Sequence, residues 1–343
     1  MNPLSDTVAR GRIRWGVLST AKIATRQVIP AMQQGVLTEI LAIASRDEDK
    51  AIAAAKELGI PRAYGSYEDL LSDPDVEAIY NPLPNHLHVS WTLKALEAGK
   101  HVLCEKPLGL DASDAARILG VIGTPPRFKV MEAFMYRFHP QWQKALSLVQ
   151  SLALGEVRAI SSFFSYYNAQ PENIRNHPDM GGGGLMDIGC YCISWPRFLL
   201  GDEPVRVVGL SAHDPVLGVD RLASGILEFP GEVQVTFTCS TQMVPYQRVQ
   251  VLGTKGRLEM EIPANAPAGE ATRLLLFSGK GVREEPEVIA IEPSNQYTLQ
   301  GDAFSRAILE DLPVPTPLTD AVANMAVIDA LVRSGKEGRW VEL

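Results

Sequence analysis

The sequence predicts an α/β chain in two parts. A parallel sheet with helices on both faces comes first, and an α+β region built on a large open, predominantly antiparallel sheet follows. Two observations carry this prediction. Up to residue 135, short apolar runs alternate with helical stretches, the rhythm of a parallel sheet with right-handed crossovers. Beyond Arg137 the chain instead strings strands together with turn residues.

The elements read in order. IRWGVL is a strand, and AKIATRQVIPAMQQG a helix ending at Gly35. EILAIASR is a strand, Lys50 to Gly59 a helix, and VEAIYNPL a strand. LHVSWTLKALEAG is a helix closed by Gly99. The strand KHVLCEKP, the helix DASDAARILG and the strand FKVMEAF complete the first part. These strands are nearly continuous apolar runs, as expected where both faces are covered. The boundary falls near Phe134–His139, giving domains 1–135 and 136–343, with residues 1–11 a frayed tail. In the second part, a helix near 141–154 leads to the strand VRAISSFFSYY. A Gly/Pro/Asn-rich stretch over 168–184 precedes the helix LMDIGCYCISWPRFLLG. The strands VRVVGLSAH, SGILEF, EVQVTFTCST, YQRVQVLG and GRLEMEI follow, then helices near 296–310 and 319–334.

Composition narrows the function. The net charge of -8 argues against nucleic acid or an anionic membrane as main partner. No apolar run suits a membrane span, and the N-terminus lacks the apolar core of a signal peptide. Cys104, Cys190, Cys192 and Cys239 form neither a disulfide framework nor a metal-binding pattern, so they read as small buried residues of a cytoplasmic protein. No metal is expected.

The turn after the first strand carries the first chemical signal. A G-x-G-x-x-G fingerprint would stand there, but its glycine positions read Ser19, Ala21 and Ala24. Small residues at a helix start still let the backbone approach a phosphate, and Ser19 and Thr20 add hydroxyls. Ser19, Thr20, Ala21, Lys22 and Ile23 are therefore candidate phosphate-turn residues. The second strand ends Ser45-Arg46, with Lys50 one turn on, where an NAD site would place a carboxylate. A guanidinium there suits a 2′-phosphate, so NADP is expected over NAD, with NAD still possible.

NPLPNHLH and CEKP close the third and fourth strands, at the sheet edge where open α/β folds bind ligands. Here the sequence resembles the glucose–fructose oxidoreductase/inositol dehydrogenase/MocA superfamily. The likeness extends through MYRFHPQ, GGGGLMDIGCYCISWPRFLLG and an EKP motif followed by D-x-G-x-Y. The last stretches look most like the branch of dimeric dihydrodiol dehydrogenase and D-xylose dehydrogenase. The resemblance implies a Rossmann domain, an α+β domain with a large open sheet, a cis Lys106–Pro107 bond, and nicotinamide redox chemistry on sugars or related polyols. It implies catalytic roles for Lys106, Tyr191 and Asp187. It places Asn81, Pro82, Leu83, Asn85, His88, Glu105 and Lys106 around the cofactor. It brings Arg137, His139, Asn168, Arg175, Asp187 and Tyr191 toward the substrate.

Competing readings stand beside these. His86 and His88 flank a helix start, where capping competes with a binding role, and Tyr191 could be a core side chain. Gly181–Gly184 could be a turn or a close approach of backbone to ligand. A tyrosine titrates near ~10, so Tyr191 as a base at neutral pH needs ~4 kcal/mol of help, which an ammonium such as Lys106 can partly supply. The expected activity is an NADP-dependent oxidoreductase, an aldose dehydrogenase or keto-sugar reductase. A trans-dihydrodiol dehydrogenase and a non-catalytic NADP- or sugar-binding regulator are the alternatives. The second sheet's strands alternate too weakly for a solvated face, so a homo-oligomer, a dimer through that sheet, is expected.

Overall fold

The structure, a computed structural model, describes residues 11–123 and 127–343. Apart from Gly11, the tail expected over 1–11 lies outside the described residues. Two compact units emerge. One runs to Met135 and is completed by Tyr297–Val322, and the other holds Tyr136–Gln296 and Ala323–Leu343.

The first unit is built on a parallel sheet of β1 (Ile13–Leu18), β2 (Thr38–Ala44), β3 (Arg62–Tyr64), β4 (Ala78–Asn81), β5 (His101–Cys104) and β6 (Val130–Glu132). Its order, β3-β2-β1-β4-β5-β6, is that of a Rossmann sheet. The order reverses between β1 and β4, which is where such sheets open a crevice at their C-terminal edge. β1 is buried on both faces. A Cβ on Gly16 would lie 2.6 Å from Leu70 Cδ2, so only glycine lets the helix Tyr67–Ser72 pack there. The segment from Tyr297 on, far beyond the change in rhythm, belongs here for a physical reason. Trp15 Nε1 donates to Ser305 Oγ at 3.2 Å, and its ring packs on Phe304 at 5.7 Å. Asp302 accepts the Val36 and Leu37 amides at 3.1 and 2.9 Å.

The second unit carries a nine-stranded sheet of β7 (Val157–Tyr167), β8 (Arg206–His213), β9 (Asp220–Phe229), β10 (Val233–Ser240), β11 (Gln242–Gly253), β12 (Arg257–Met260), β13 (Thr272–Phe277), β14 (Glu287–Ile291) and β15 (Val341–Glu342). Its order is β14-β13-β12-β11-β7-β10-β9-β8-β15. All neighbours are antiparallel except β7 and β10, which run parallel. One face is covered by the helix Cys190–Leu200, where Phe164 meets Tyr191 and Trp195 at ring distances of 5.8 and 6.1 Å. The cysteines are free and buried, and burial pushes the Cys192 thiol up to about 12. They are packing groups rather than nucleophiles.

Candidate functional site

In the first unit the candidates gather at the C-terminal edge of the sheet. Ser19 follows β1 with φ +89° and donates its amide to Ala44 O at 2.8 Å. Glycine adopts that backbone freely, whereas serine does so at ~1–2 kcal/mol. Thr20, Ala21, Lys22 and Ile23 lead into a π-helical segment, Ala24–Val28, which continues as Ile29–Met32. The first-turn amides of such a segment have no partner within the helix and can meet an anion.

After β2, Ser45 is buried and its Oγ accepts the Asp47 amide at 3.2 Å, while Arg46 is exposed. Asp47 caps the helix Glu48–Leu58 by accepting the Lys50 amide at 3.2 Å, and it pairs with Lys50 Nζ at 3.0 Å. The bond to Lys50 holds the Asp47 carboxyl below its ordinary value. Lys50 is thus engaged with Asp47, and Arg46 is the exposed cation beside it.

After β4 and β5, two turns are stapled to each other. Asn81 is fully buried. Its amide nitrogen donates to His88 O (3.1 Å) and Thr92 Oγ1 (3.3 Å), and its oxygen accepts the Leu83 amide (3.3 Å). Pro82 and Leu83 are buried, and Asn85 opens the helix Asn85–Glu97. His88 is buried with its ring between Pro107 O (2.7 Å) and Leu83 O (2.6 Å). Burial lowers its pKa to about 4, so at neutral pH it is uncharged and donates to one of the two. The Lys106–Pro107 bond is cis, as the family resemblance implied. On either side of Lys106 the backbone is fixed. Glu105 accepts the Tyr80 hydroxyl at 2.7 Å and donates its amide to Asn81 O at 3.0 Å. Leu108 donates its amide to Glu132 Oε1 at 2.8 Å. Burial first, and the Glu105 charge next, raise the Tyr80 pKa, which keeps it a neutral donor.

In the second unit the candidates surround the head of the Cys190–Leu200 helix. Asp187 is buried, its Oδ2 accepts the Tyr166 hydroxyl at 2.5 Å, and its Oδ1 accepts Arg175 Nε at 2.9 Å. Tyr191 is buried among Tyr136, Phe164 and Trp195, at ring distances of 6.0, 5.8 and 6.1 Å. The sequence reading makes 185–200 one helix; Leu185–Gly189 winds as a π-helix and Cys190–Leu200 continues as an α-helix. Gly189 lets this segment seat closely, because a Cβ there would come 2.8 Å from Leu185 Cδ1 and 3.0 Å from Cys239 Sγ.

Comparison with known proteins agrees with this architecture. Residues 13–122 match the model of an oxidoreductase family with an NAD-binding Rossmann fold, and residues 142–259 match the GFO/IDH/MocA C-terminal domain. The chain belongs to the Gfo/Idh/MocA family. It is 40% identical to D-xylose 1-dehydrogenase (NADP(+)) 2 of Haloferax volcanii, over 96% of this chain and 99% of that one. It is 34% identical to the trans-1,2-dihydrobenzene-1,2-diol dehydrogenase of Xenopus tropicalis, over 72% and 74% of the two chains. Among solved structures it resembles a 3-ketoreductase from Actinomadura kijaniata in complex with NADP and TDP-benzene, with a TM-score of 0.88 and 30% identity over 94% and 98% of the chains.

For this member of the Gfo/Idh/MocA family, the structure sorts the candidates. Ser19–Ile23, Arg46 and the Glu105–Lys106 turn lie at the C-terminal ends of their strands. Asn81 spends its polar atoms on His88 O, the Leu83 amide and Thr92 Oγ1, and His88 spends its own on two backbone carbonyls, so they hold the turns. Asp187 and Arg175 are joined. Arg137 is buried and donates to Ser194 Oγ (2.8 Å) and Tyr136 Oη (3.2 Å). His139 is buried and caps the helix Pro140–Gln150, its Nδ1 accepting the Gln141 amide at 3.2 Å. Asn168 accepts the Gln170 amide at 3.1 Å within its own loop. Sequence reasoning missed Tyr166, Tyr80 and Glu132. The alternation in VRAISSFFSYY puts Tyr166 on the face of Phe164, and that signal could have found it.

Proposed function

We propose that the chain is an NADP-dependent oxidoreductase that transfers a hydride between the nicotinamide and a sugar or sugar-like polyol, as an aldose dehydrogenase or keto-sugar reductase. The observation that carries this is the end of β2. Arg46 is exposed there, and the first carboxylate beyond it, Asp47, is already committed to a helix cap and to Lys50. A guanidinium free of that carboxylate pairs with a 2′-phosphate, which an acidic residue would repel. The NADP named for the Haloferax and Actinomadura relatives supports the same choice.

The residues present fit this cofactor. Ser19 already holds the left-handed turn that brings backbone amides toward an anion. Ser19–Ile23 would hold the pyrophosphate, and Ser45, Arg46 and Lys50 the ribose phosphate. Asn81, Pro82, Leu83, Asn85, Glu105 and Lys106 would line the rest, with His88 behind them. When bound, the nicotinamide supplies the hydride acceptor. The chain's own task is the proton. Oxidising a CH–OH group releases a hydride from carbon and a proton from oxygen. Tyr191 as phenolate takes that proton, and the Lys106 ammonium favours the phenolate. In reduction the same phenol gives the proton back. Asp187 and Arg175 bind sugar hydroxyls beside Tyr191. A diol is the second reading, favoured by the likeness to the dihydrodiol dehydrogenase.

The functional form is a homodimer through the second sheet's uncovered face. One row across that face reads Leu210, Ser224, Thr238, Phe163 and Arg248 by register. Leu210 is 75% exposed, and Ile226 and Tyr246 are exposed as well. Such a mixed apolar and small-polar face suits a self-complementary partner. Among the described residues no helix is long and apolar enough to cross a membrane. Four free thiols fit a reducing cytoplasm.

Fluorescence titration with NADP and NAD tests the cofactor assignment. Arg46→Asp should weaken NADP by about 10- to 150-fold, the worth of a charge-assisted contact. Equal affinity of the wild type for both cofactors would contradict the assignment.

A further inference from the structure

Two of the four glycines ahead of the Cys190–Leu200 helix, Gly183 and Gly184, stand against a carboxylate. Asp220, the first residue of β9, is half-buried, and its Oδ2 accepts the Leu185 amide at 2.7 Å. The Gly184 backbone lies close by and favours its ionised form. A Cβ on Gly183 would fall 2.0 Å from Asp220 Oδ1, and one on Gly184 would fall 3.3 Å from Oδ2. Gly183 also has φ +116°, where side chains are rarely tolerated. These two glycines are therefore neither a loose hinge nor spare length. They admit a carboxylate from another strand into the first turn of the helix.

What hangs from that turn is the candidate chemistry. Gly183 O accepts the Asp187 amide at 3.0 Å, and Gly183 donates its own amide to Arg175 O at 2.8 Å. Arg175 Nε in turn donates to Asp187 at 2.9 Å. A shift of Gly183 therefore moves Asp187 and its guanidinium partner together, and Tyr191 follows on the same helix. We infer that Asp220 is a positioning residue, fixing through Gly183, Gly184 and Leu185 the orientation of the helix that carries Asp187 and Tyr191. This rests on the proposed oxidoreductase reading for its kinetic consequences, though not for the geometry.

The ionised carboxylate accepts the Leu185 amide most strongly. Burial raises its pKa to about 6 against the opposing pull of that amide. The other titratable groups facing it are His213 on β8, whose charge lowers it, and the Cys239 thiol on β10, which burial keeps protonated. Protonation near that pH therefore weakens the hold on the helix.

The test compares wild type, Asp220→Asn and Asp220→Ala in the full chain by two readouts. Amide hydrogen exchange followed by mass spectrometry needs no activity. Asp220→Ala should speed exchange over residues 184–188 by about tenfold or more, leaving the first unit unchanged. Kinetically, Asp220→Ala should lower kcat by about 10- to 100-fold, with NADP affinity within about twofold. Asp220→Asn keeps an acceptor for Leu185, so it should recover most of kcat. The wild-type kcat should show an acid limb near pH 6, and Asp220→Asn should lose it. Unchanged exchange in a folded Asp220→Ala protein overturns the inference. So does an acid limb that persists in Asp220→Asn, which decides the matter if the alanine variant does not fold. If the wild type turns over no sugar or diol, the oxidoreductase reading fails, and the exchange data alone decide on Asp220.

Discussion

Tyr191 should separate kinetically from the cofactor pocket. Tyr191→Phe removes the proposed proton carrier but keeps the ring among Tyr136, Phe164 and Trp195. It should lower kcat by about 10²- to 10⁴-fold with NADP affinity almost unchanged. Lys106→Met should also lower kcat and move the pH optimum upward, because the phenolate loses its favouring charge. Steady-state kinetics across pH, beside cofactor titration, measures both, and near wild-type turnover in Tyr191→Phe would move the acid/base role elsewhere. His88 makes a different prediction, about stability. Burial takes its pKa from 6.5 to about 4, so between those values the unfolded chain binds a proton that the folded chain refuses. Stability therefore falls as pH drops through that window, by ~3 kcal/mol for one such group. His101, lowered to about 4 by burial, adds in the same direction. His88→Gln should weaken the fold at neutral pH yet flatten the acid slope. Urea unfolding at about pH 7 and pH 4.5 reads this, and an unchanged slope would assign the acid sensitivity to other groups.

At the scale of elements, the turns after β4 and β5 act as one device. Asn81 makes three side-chain bonds across the turn and into the helix Asn85–Glu97. Asn81→Ala leaves buried partners unsatisfied and should cost ~2–4 kcal/mol in urea unfolding, a loss larger than its effect on NADP binding. A wild-type unfolding midpoint would show that the staple is dispensable. These roles explain what the sequence could and could not reveal. Strand and helix periodicity placed five of the six Rossmann strands, missing the three-residue edge strand Arg62–Tyr64, and motif spacing placed Lys106 after its strand. What the Asn81 and His88 side chains bond to depends on groups brought in by folding, so motif position alone did not reveal that they staple the turns. Glu132 and Tyr80 have no motif at all, and their partners, Leu108 and Glu105, lie 24 and 25 residues away. The strands Thr272–Phe277 and Glu287–Ile291, the inner and outer of the last hairpin of the sheet, escaped notice among charged and turn residues. The π-helical start at Leu185–Gly189, with Gly189 seated closely on Cys239, is encoded by no local propensity.

For the whole molecule, the family assignment covers both parts of the chain, so an NAD-binding Rossmann domain and the family's C-terminal domain are present together. The proposed dimer through the uncovered sheet face predicts twice the chain mass in light scattering at micromolar concentration. Leu210→Glu, on that face, should shift the mass toward monomer, because it buries a charge against a self-complementary partner. A monomeric wild type would count against this assembly. The central claim is redox turnover of a sugar-like alcohol with NADP. It is tested most directly by following reduced nicotinamide, by absorbance, as the purified chain meets NADP and a panel of aldoses, polyols and vicinal diols. The account predicts that at least one of these substrates accumulates NADPH, and does so faster than NADH accumulates when NAD replaces NADP. Absence of net cofactor reduction across the panel, together with no NADPH consumption by the corresponding keto-sugars, would contradict it.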